Sequence, residues 1–249
     1  MDETFIIVIG LFILSTISGM LGIGVAFAAI PFLGLYLPDL VHQVQPLALL
    51  LNGITALFAT AGFSRSGYVD WKKAITLSVI TTVFAPVGSY MVQFFKQTYV
   101  WFTYFLSVIY MAYRLFKPVK EKIGNENFNL ALFIAVPISI LSGFLGVGPG
   151  FLLMPTLILV GFDSKKAAGI NAFAVTPPSF SALIPHIHTA QWDVNLALPL
   201  ILAGAIGSFC GARLTSLYIP SNKIKQIFAV LILITTAYKL YTLIEMGTG

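Results

Sequence analysis

The sequence predicts an all-α integral membrane protein of two inverted-topology repeats, each a broken, re-entrant helical hairpin followed by three transmembrane helices. Three observations predict it. The 249 residues are 58% hydrophobic and 9% charged, against about 25% charged in a soluble domain. Two apolar runs are interrupted by similar glycine clusters, Ser18-Gly19-Met20-Leu21-Gly22-Ile23-Gly24 and Ser142-Gly143-Phe144-Leu145-Gly146-Val147-Gly148, 124 residues apart. The Lys and Arg residues separate cleanly to one membrane face only if both interrupted runs enter and leave on the same side.

The N-terminus, Met1-Asp2-Glu3-Thr4, is acidic rather than basic, so the apolar segment behind it is expected to be retained and not removed as a leader. Apolar runs follow at 5–37, 43–63, 72–95, 98–116, 128–161, 166–184, 194–218 and 224–244. Six have 18 to 25 residues, the length of one crossing. Runs 5–37 and 128–161 would reach roughly 50 Å as single helices, against a hydrocarbon core of about 30 Å. Each contains a glycine cluster, where a helix breaks readily. Arms at 5–18 and 25–37 would each be roughly 20 Å long, which suits a hairpin that returns to its own face.

Charge discriminates between the topologies. If both long runs cross once, the basic residues divide 8 to 5, with Arg213 set aside. If both return, 11 of them, from Arg65 to Lys225, share one face, and only Lys96 and Lys239 lie on the other. Positive loops stay in the cytoplasm, so the returning arrangement is expected, in the cell (inner) membrane, with both termini extracytoplasmic. Each half then crosses three times, an odd number, and the halves must be inverted. The repeat continues beyond the glycines, with Asp39 matching Asp163, Asp70 matching Asp193, Ala74 matching Ala197 and Gly88 matching Gly211. The expected domains are 1–116, a polar cytoplasmic linker at 117–127, and 128–249.

No Asp or Glu falls within an expected span. That argues against an intramembrane carboxylate relay, a metal-cation site and an enzyme. What remains at mid-membrane is glycine backbone, hydroxyls and amides. A second arm that starts at a hairpin tip points its helix N-terminus into the membrane, where free N–H groups favour an anion. The candidate substrate-binding residues are therefore Ser18, Gly22, Gly24, Asn52, Ser142, Gly146, Gly148, Gly150, Asn171, Thr176 and Ser179. For the hydroxyls the alternative is a back-bond to their own helix or a helix–helix contact. Pro177-Pro178 is expected to disrupt its helix and free carbonyls upstream.

Arg213, near a span end, and His186, in an outer loop with His188, are weaker candidates for attraction or gating. Interfacial placement is the alternative for both. Trp71, Trp101 and Trp192 read as interfacial anchors, and Cys210, the single cysteine, as a small buried packing residue. A net charge of +5 is accounted for by topology and does not call for a nucleic-acid partner. The expected partners are a small anion and the lipid bilayer. No cofactor or metal is expected. Proton or ion coupling and a homodimer stay open.

The duplicated Ser-Gly-x-Leu-Gly-x-Gly break, the prolines Pro31 and Pro155 that follow, and the segment Gly67-Tyr68-Val69-Asp70-Trp71 resemble the TauE/SafE sulfite exporter family over nearly the whole chain. The resemblance implies a plasma-membrane permease for sulfite or an organosulfonate. An anion channel, or a permease for another small carboxylate or oxyanion, is the alternative. The family usually runs Gly-x-Gly-Gly-Gly at the break. Here the tips read Gly22-Ile23-Gly24-Val25-Ala26 and Gly146-Val147-Gly148-Pro149-Gly150, with one N–H lost at Pro149. Asn171 stands where the family commonly has a Thr-Ser pair, which marks it as a specificity position.

Overall fold

The computed structural model describes residues 3–116, 126–191 and 193–218, with positions 233, 234, 237 and 241. Trp192, most of the expected linker at 117–127 and most of the last expected run at 224–244 lie outside the described residues. The elements are α1 (Glu3–Leu21), α2 (Ala26–Leu33), a π-helical turn (Leu40–Val44), α3 (Gln45–Ser64), α4 (Trp71–Val92) and α5 (Gln97–Phe116). They continue with α6 (Phe128–Leu145), α7 (Gly150–Leu159), α8 (Ser164–Leu183), a 3-10 turn (Ile184–His186) and α9 (Val194–Leu217). Six helices among the described residues, α1, α3, α4, α6, α8 and α9, are long and apolar enough to cross a membrane. Helix α5 is as long, but the tyrosines at 99, 104, 110 and 113 lower its hydropathy.

Helix starts follow from the sequence. Asp39, Asp70, Asp163 and Asp193 each accept backbone N–H bonds at the head of a helical element, the usual role of an N-cap carboxylate. The two matched Asp pairs of the repeat are thus matched caps. They explain why the acidic residues gather at span ends.

The packing has a matching order. Helix α1 packs on α9 and its repeat counterpart α6 on α4, while α3 packs on both α8 and α9, and α8 on both α3 and α4. Glycine sets the close approaches. A Cβ at Gly211 would lie 1.9 Å from the Thr16 carbonyl, and one at its counterpart Gly88 would lie 1.8 Å from the Ile140 carbonyl. In lipid, where apolar burial does not drive helices together, such small-residue contacts are the main source of tight packing. Helices α3 and α8 run antiparallel: Asn52 meets Ser179, whereas Tyr68, past the end of α3, meets Gly169 near the start of α8.

Both broken segments turn back on themselves. The Asn127 N–H donates to the Val160 carbonyl at 2.8 Å, which joins the start of α6 to the end of α7. Phe32 of α2 lies against Gly10 of α1. The arms are unequal, contrary to the sequence expectation. Helix α1 has 19 residues and α2 only 8, about 28 and 12 Å. Helix α1 runs on through Ser18 and Gly19 because Gly19 packs against Ser208, and it ends only where Gly22 turns left-handed.

Prolines inside the helices free carbonyls four residues upstream, and other helices supply the missing donors. Pro31 frees the Phe27 carbonyl, which accepts the Tyr104 hydroxyl. Pro86 frees that of Thr82, which accepts the Ser181 hydroxyl at 2.9 Å. Pro178 frees that of Ala174, which accepts the Thr81 hydroxyl at 3.0 Å. Hence α8 stays helical through Pro177 and Pro178 instead of breaking there. Tyr104→Phe leaves a buried carbonyl without its donor and should lower thermal stability in detergent by about 1–3 kcal/mol.

At one end of the molecule Glu126 joins three helix starts. Its carboxylate contacts Lys73 and lies 2.8 Å from Lys166, and both ammonium groups lie over the Phe162 ring. Burial raises the Glu126 pKa, but hydrogen bonds and charge from Lys166 and Lys73 outweigh it, leaving it below the ordinary 4.5. A lowered carboxylate pKa gives stability that is present above the unfolded-state value and lost as pH falls through the folded one. Acid titration of thermal stability should therefore show a loss that begins as pH enters the ordinary glutamate range and is complete only below the folded-state value, and Glu126→Gln should reduce that loss.

Two single residues depart from expectation. Cys210 is exposed on α9, because the small residues flanking it, Gly207, Ser208 and Gly211, form the buried face instead. Trp101 is buried, stacked on Phe105 and packed against Gly34, so it is not an interfacial anchor. Trp71 is exposed.

Candidate functional site

Each tip is a left-handed turn between two helices. Gly22 and Gly24 have φ of 62° and 73°, and Gly146 and Gly148 have 70° and 68°, values that cost other residues about 1–2 kcal/mol. The Ile23 N–H reaches back to the Ser18 carbonyl and the Val147 N–H to that of Ser142. These bonds close both turns in the same way. Helices α2 and α7 then start at the tips. Just inside them, the repeat counterparts Phe27 and Phe151 stack at 4.3 Å between centroids.

The two tips meet at two amides. A Cβ on Gly24 would lie 2.2 Å from Asn52 Oδ1, and one on Gly148 would lie 2.2 Å from Asn52 Nδ2. Asn52 Oδ1 accepts the Ala26 N–H at 2.9 Å, and Asn52 Nδ2 donates to Ser179 Oγ at 2.8 Å. Asn171 Nδ2 donates to the Gly22 carbonyl at 2.8 Å and to that of Gly150 at 3.1 Å, bridging the hairpins. Gly150 itself lies against the Ile23 carbonyl.

Most of the sequence candidates converge here. Gly22, Gly24, Asn52, Gly146, Gly148, Gly150, Asn171 and Ser179 form one buried cluster. Ser18 and Ser142 begin the last turns of α1 and α6, buried, each with a hydroxyl that has no protein partner. Thr176 is buried but back-bonds to the Ala172 carbonyl at 3.0 Å. Arg213 lies elsewhere: it donates to Ser66 Oγ at 2.8 Å, near the end of α9. His186 also lies apart. It is fully buried rather than interfacial, because the turn that holds it packs against α4 and the end of α8, and beyond it the Gln191 N–H donates to the His42 carbonyl in the π-helical turn.

Two site residues were not anticipated. Thr55 Oγ1 accepts the Val25 N–H at 3.2 Å. Stepping back by the repeat spacing from Ser179 would have found it. Gln45 is fully buried, with its stem against Gly146 and its Nε2 donating to the Phe144 carbonyl at 3.2 Å. Its repeat counterpart is Gly169, so no symmetry signal marks it. The α2 terminus thus receives Thr55 and Asn52 at its first N–H groups, whereas the α7 terminus begins at Pro149, which has no N–H.

A pocket of about 160 Å³ opens at the His186 end, lined by Leu37, Gln43, Leu47, Gln191, Asp193 and Leu196. Gln43 Nε2 donates to Gln191 Oε1 at 3.1 Å beside it. Asp39 pairs with the His42 ring at 2.8 Å. Burial raises the Asp39 pKa, but hydrogen bonds from the His42 backbone and ring, the His42 charge and the Val41 N–H hold it below the ordinary value.

A multi-helix apolar bundle with paired broken helices buried at its centre is the architecture of a membrane transporter. The family described as "Sulfite exporter TauE/SafE" matches residues 6–239, and the chain belongs to that family. A "probable membrane transporter protein" of Methanocaldococcus jannaschii is 26% identical over 226 residues, covering 84% of this chain and 83% of that one. Another of the same description, from Xylella fastidiosa strain Temecula1, is 24% identical over 239 residues, covering 90% and 89%. No solved structure matches the chain.

Proposed function

We propose that the protein is a secondary transporter of a small sulfur-containing anion, of the sulfite or organosulfonate class, bound between the two glycine tips. The observation that carries the reading is the convergence of both tips on Asn52. Helix N-termini, hydroxyls and amides gather there without a carboxylate. Membership of a sulfite exporter family supports the substrate class.

Alternating access would come from one helix group rocking against the other about the fixed site. The burial of the tip residues supports it, since a substrate must be admitted by movement. The antiparallel run of α3 and α8 supports inverted repeats. The end that gathers Arg65, Lys72, Lys73, Lys165 and Lys166 would face the cytoplasm, and the His186 end, with the acidic N-terminus, the outside. Uptake of labelled sulfite into proteoliposomes tests the reading. Saturable flux above that of empty liposomes is expected, and its absence for both sulfite and organosulfonates would refute the reading.

A further inference from the structure

We propose that the site takes its anion as a monoanion that still carries a hydrogen-bond donor, an O–H or N–H, and that Asn171 Oδ1 accepts that hydrogen. The inference rests on the transport reading above and narrows its substrate class. Two independent observations carry it.

The first is an unused acceptor. Asn171 is fully buried, and its amide orientation is set by what surrounds it. Nδ2 donates to two carbonyls, Gly22 and Gly150, one from each hairpin. Turning the amide over would set Oδ1 against both carbonyl oxygens, three acceptors with no donor. As it stands, Oδ1 is buried with no protein partner. Buried amide oxygens are normally paired, and an unpaired one at a site calls for a ligand that completes it. Asn52, by contrast, is engaged at both ends. Gln45, packed on the second tip, repeats the Asn171 pattern: Nε2 donates to the Phe144 carbonyl, and Oε1 is buried without a partner. The hydroxyls of Ser18 and Ser142, also buried and unpartnered, are available to donate to the anion's other oxygens.

The second is charge. The polar contacts of Lys73, Lys165, Lys166 and Arg213 are made at span ends, with Glu126, the Ser216 carbonyl and Ser66. Among these described groups, what is left to supply positive potential at the tips is the N-termini of α2 and α7, each at most roughly half an elementary charge. Two such ends balance one negative charge, not two. A dianion would carry an uncompensated charge into a buried site, which a low-dielectric interior strongly opposes. Hydrogensulfite fits both observations, as do sulfonates that bear a hydroxyl group. Sulfate and fully deprotonated sulfite fit neither.

The test uses the full chain in proteoliposomes with four probes: isethionate, ethanesulfonate, sulfate and sulfite. Isethionate and ethanesulfonate share a charge and differ by one hydroxyl. Uptake efficiency for isethionate is expected to exceed that for ethanesulfonate about tenfold, the ratio one neutral hydrogen bond supplies. Sulfate uptake should stay at background, and uptake of total sulfite should rise as pH falls through its second ionisation. Asn171→Leu should bring isethionate down to the ethanesulfonate rate. Should that variant not insert, the wild-type ratio and the sulfite pH profile decide alone. Equal rates for the two sulfonates, or sulfate carried as fast as they are, overturn the inference and leave the transport reading in place. Saturable flux of none of the four overturns the transport reading itself.

Discussion

Gly148→Ala is expected to abolish saturable anion uptake, while Gly67→Ala leaves it intact. The two positions share a left-handed backbone, with φ of 68° and 73°, so both variants bear a similar conformational cost of about 1–2 kcal/mol. They differ in surroundings. A Cβ at Gly67 meets nothing within 4 Å, whereas one at Gly148 lies 2.2 Å from Asn52 Nδ2 and 3.2 Å from Ser179 Oγ. The Asn52 amide must then move away from the tip, taking its bonds to Ala26 and Ser179 with it. Gly24→Ala should behave as Gly148→Ala does, because its Cβ would meet Asn52 Oδ1 at 2.2 Å. Reconstituted flux, normalised to the amount of folded protein, separates the two costs. Equal activity of Gly148→Ala and Gly67→Ala would place the site away from the tips.

Asn52→Asp should leave a folded protein that no longer carries anions, with flux down at least tenfold. The carboxylate can still accept the Ala26 N–H, as the amide oxygen does at 2.9 Å, but it cannot donate to Ser179. It also sets a negative charge beside both helix N-termini, where it competes with the substrate for the same dipoles. Asn52→Leu acts differently. It leaves the Ala26 N–H buried without an acceptor, at a cost of about 1–3 kcal/mol, and should lower thermal stability as well as flux. If Asn52→Asp transports at the wild-type rate, Asn52 only holds the hairpins together.

Much of this organisation is legible in the residues. The paired glycine clusters mark both tips because an L side chain resists a left-handed turn, so the need for glycine is written locally. The matched aspartates mark helix starts for the same reason, since capping involves residues two or three apart. Asn52, Asn171 and Ser179 are identifiable because an amide or hydroxyl in an apolar span needs a partner.

Other features involve contacts between residues far apart in the chain. Nothing in the sequence around Pro178 says that Thr81 will supply the donor that keeps α8 helical, or that Tyr104 will do so for Pro31. The expected break at Pro177-Pro178 fails for that reason. His186 looked like a loop residue because it lies just past the apolar run at 166–184, but the turn that holds it packs against α4 and buries it.

The sequence by itself determined that this is a helical membrane protein with two similar glycine breaks and, among the described residues, no carboxylate in the interior of its long apolar helices. Hydrophobic run length, repeated turn chemistry and charge placement are properties of short segments, and lipid leaves few alternatives. Only the tertiary structure decided how the halves meet: both tips on Asn52, Asn171 bridging Gly22 and Gly150, and Gln45 against Gly146. Those contacts depend on which helix faces come together. That is settled by close glycine packing and hydroxyl-to-carbonyl bonds between helices distant in the chain, not by the composition of any one of them.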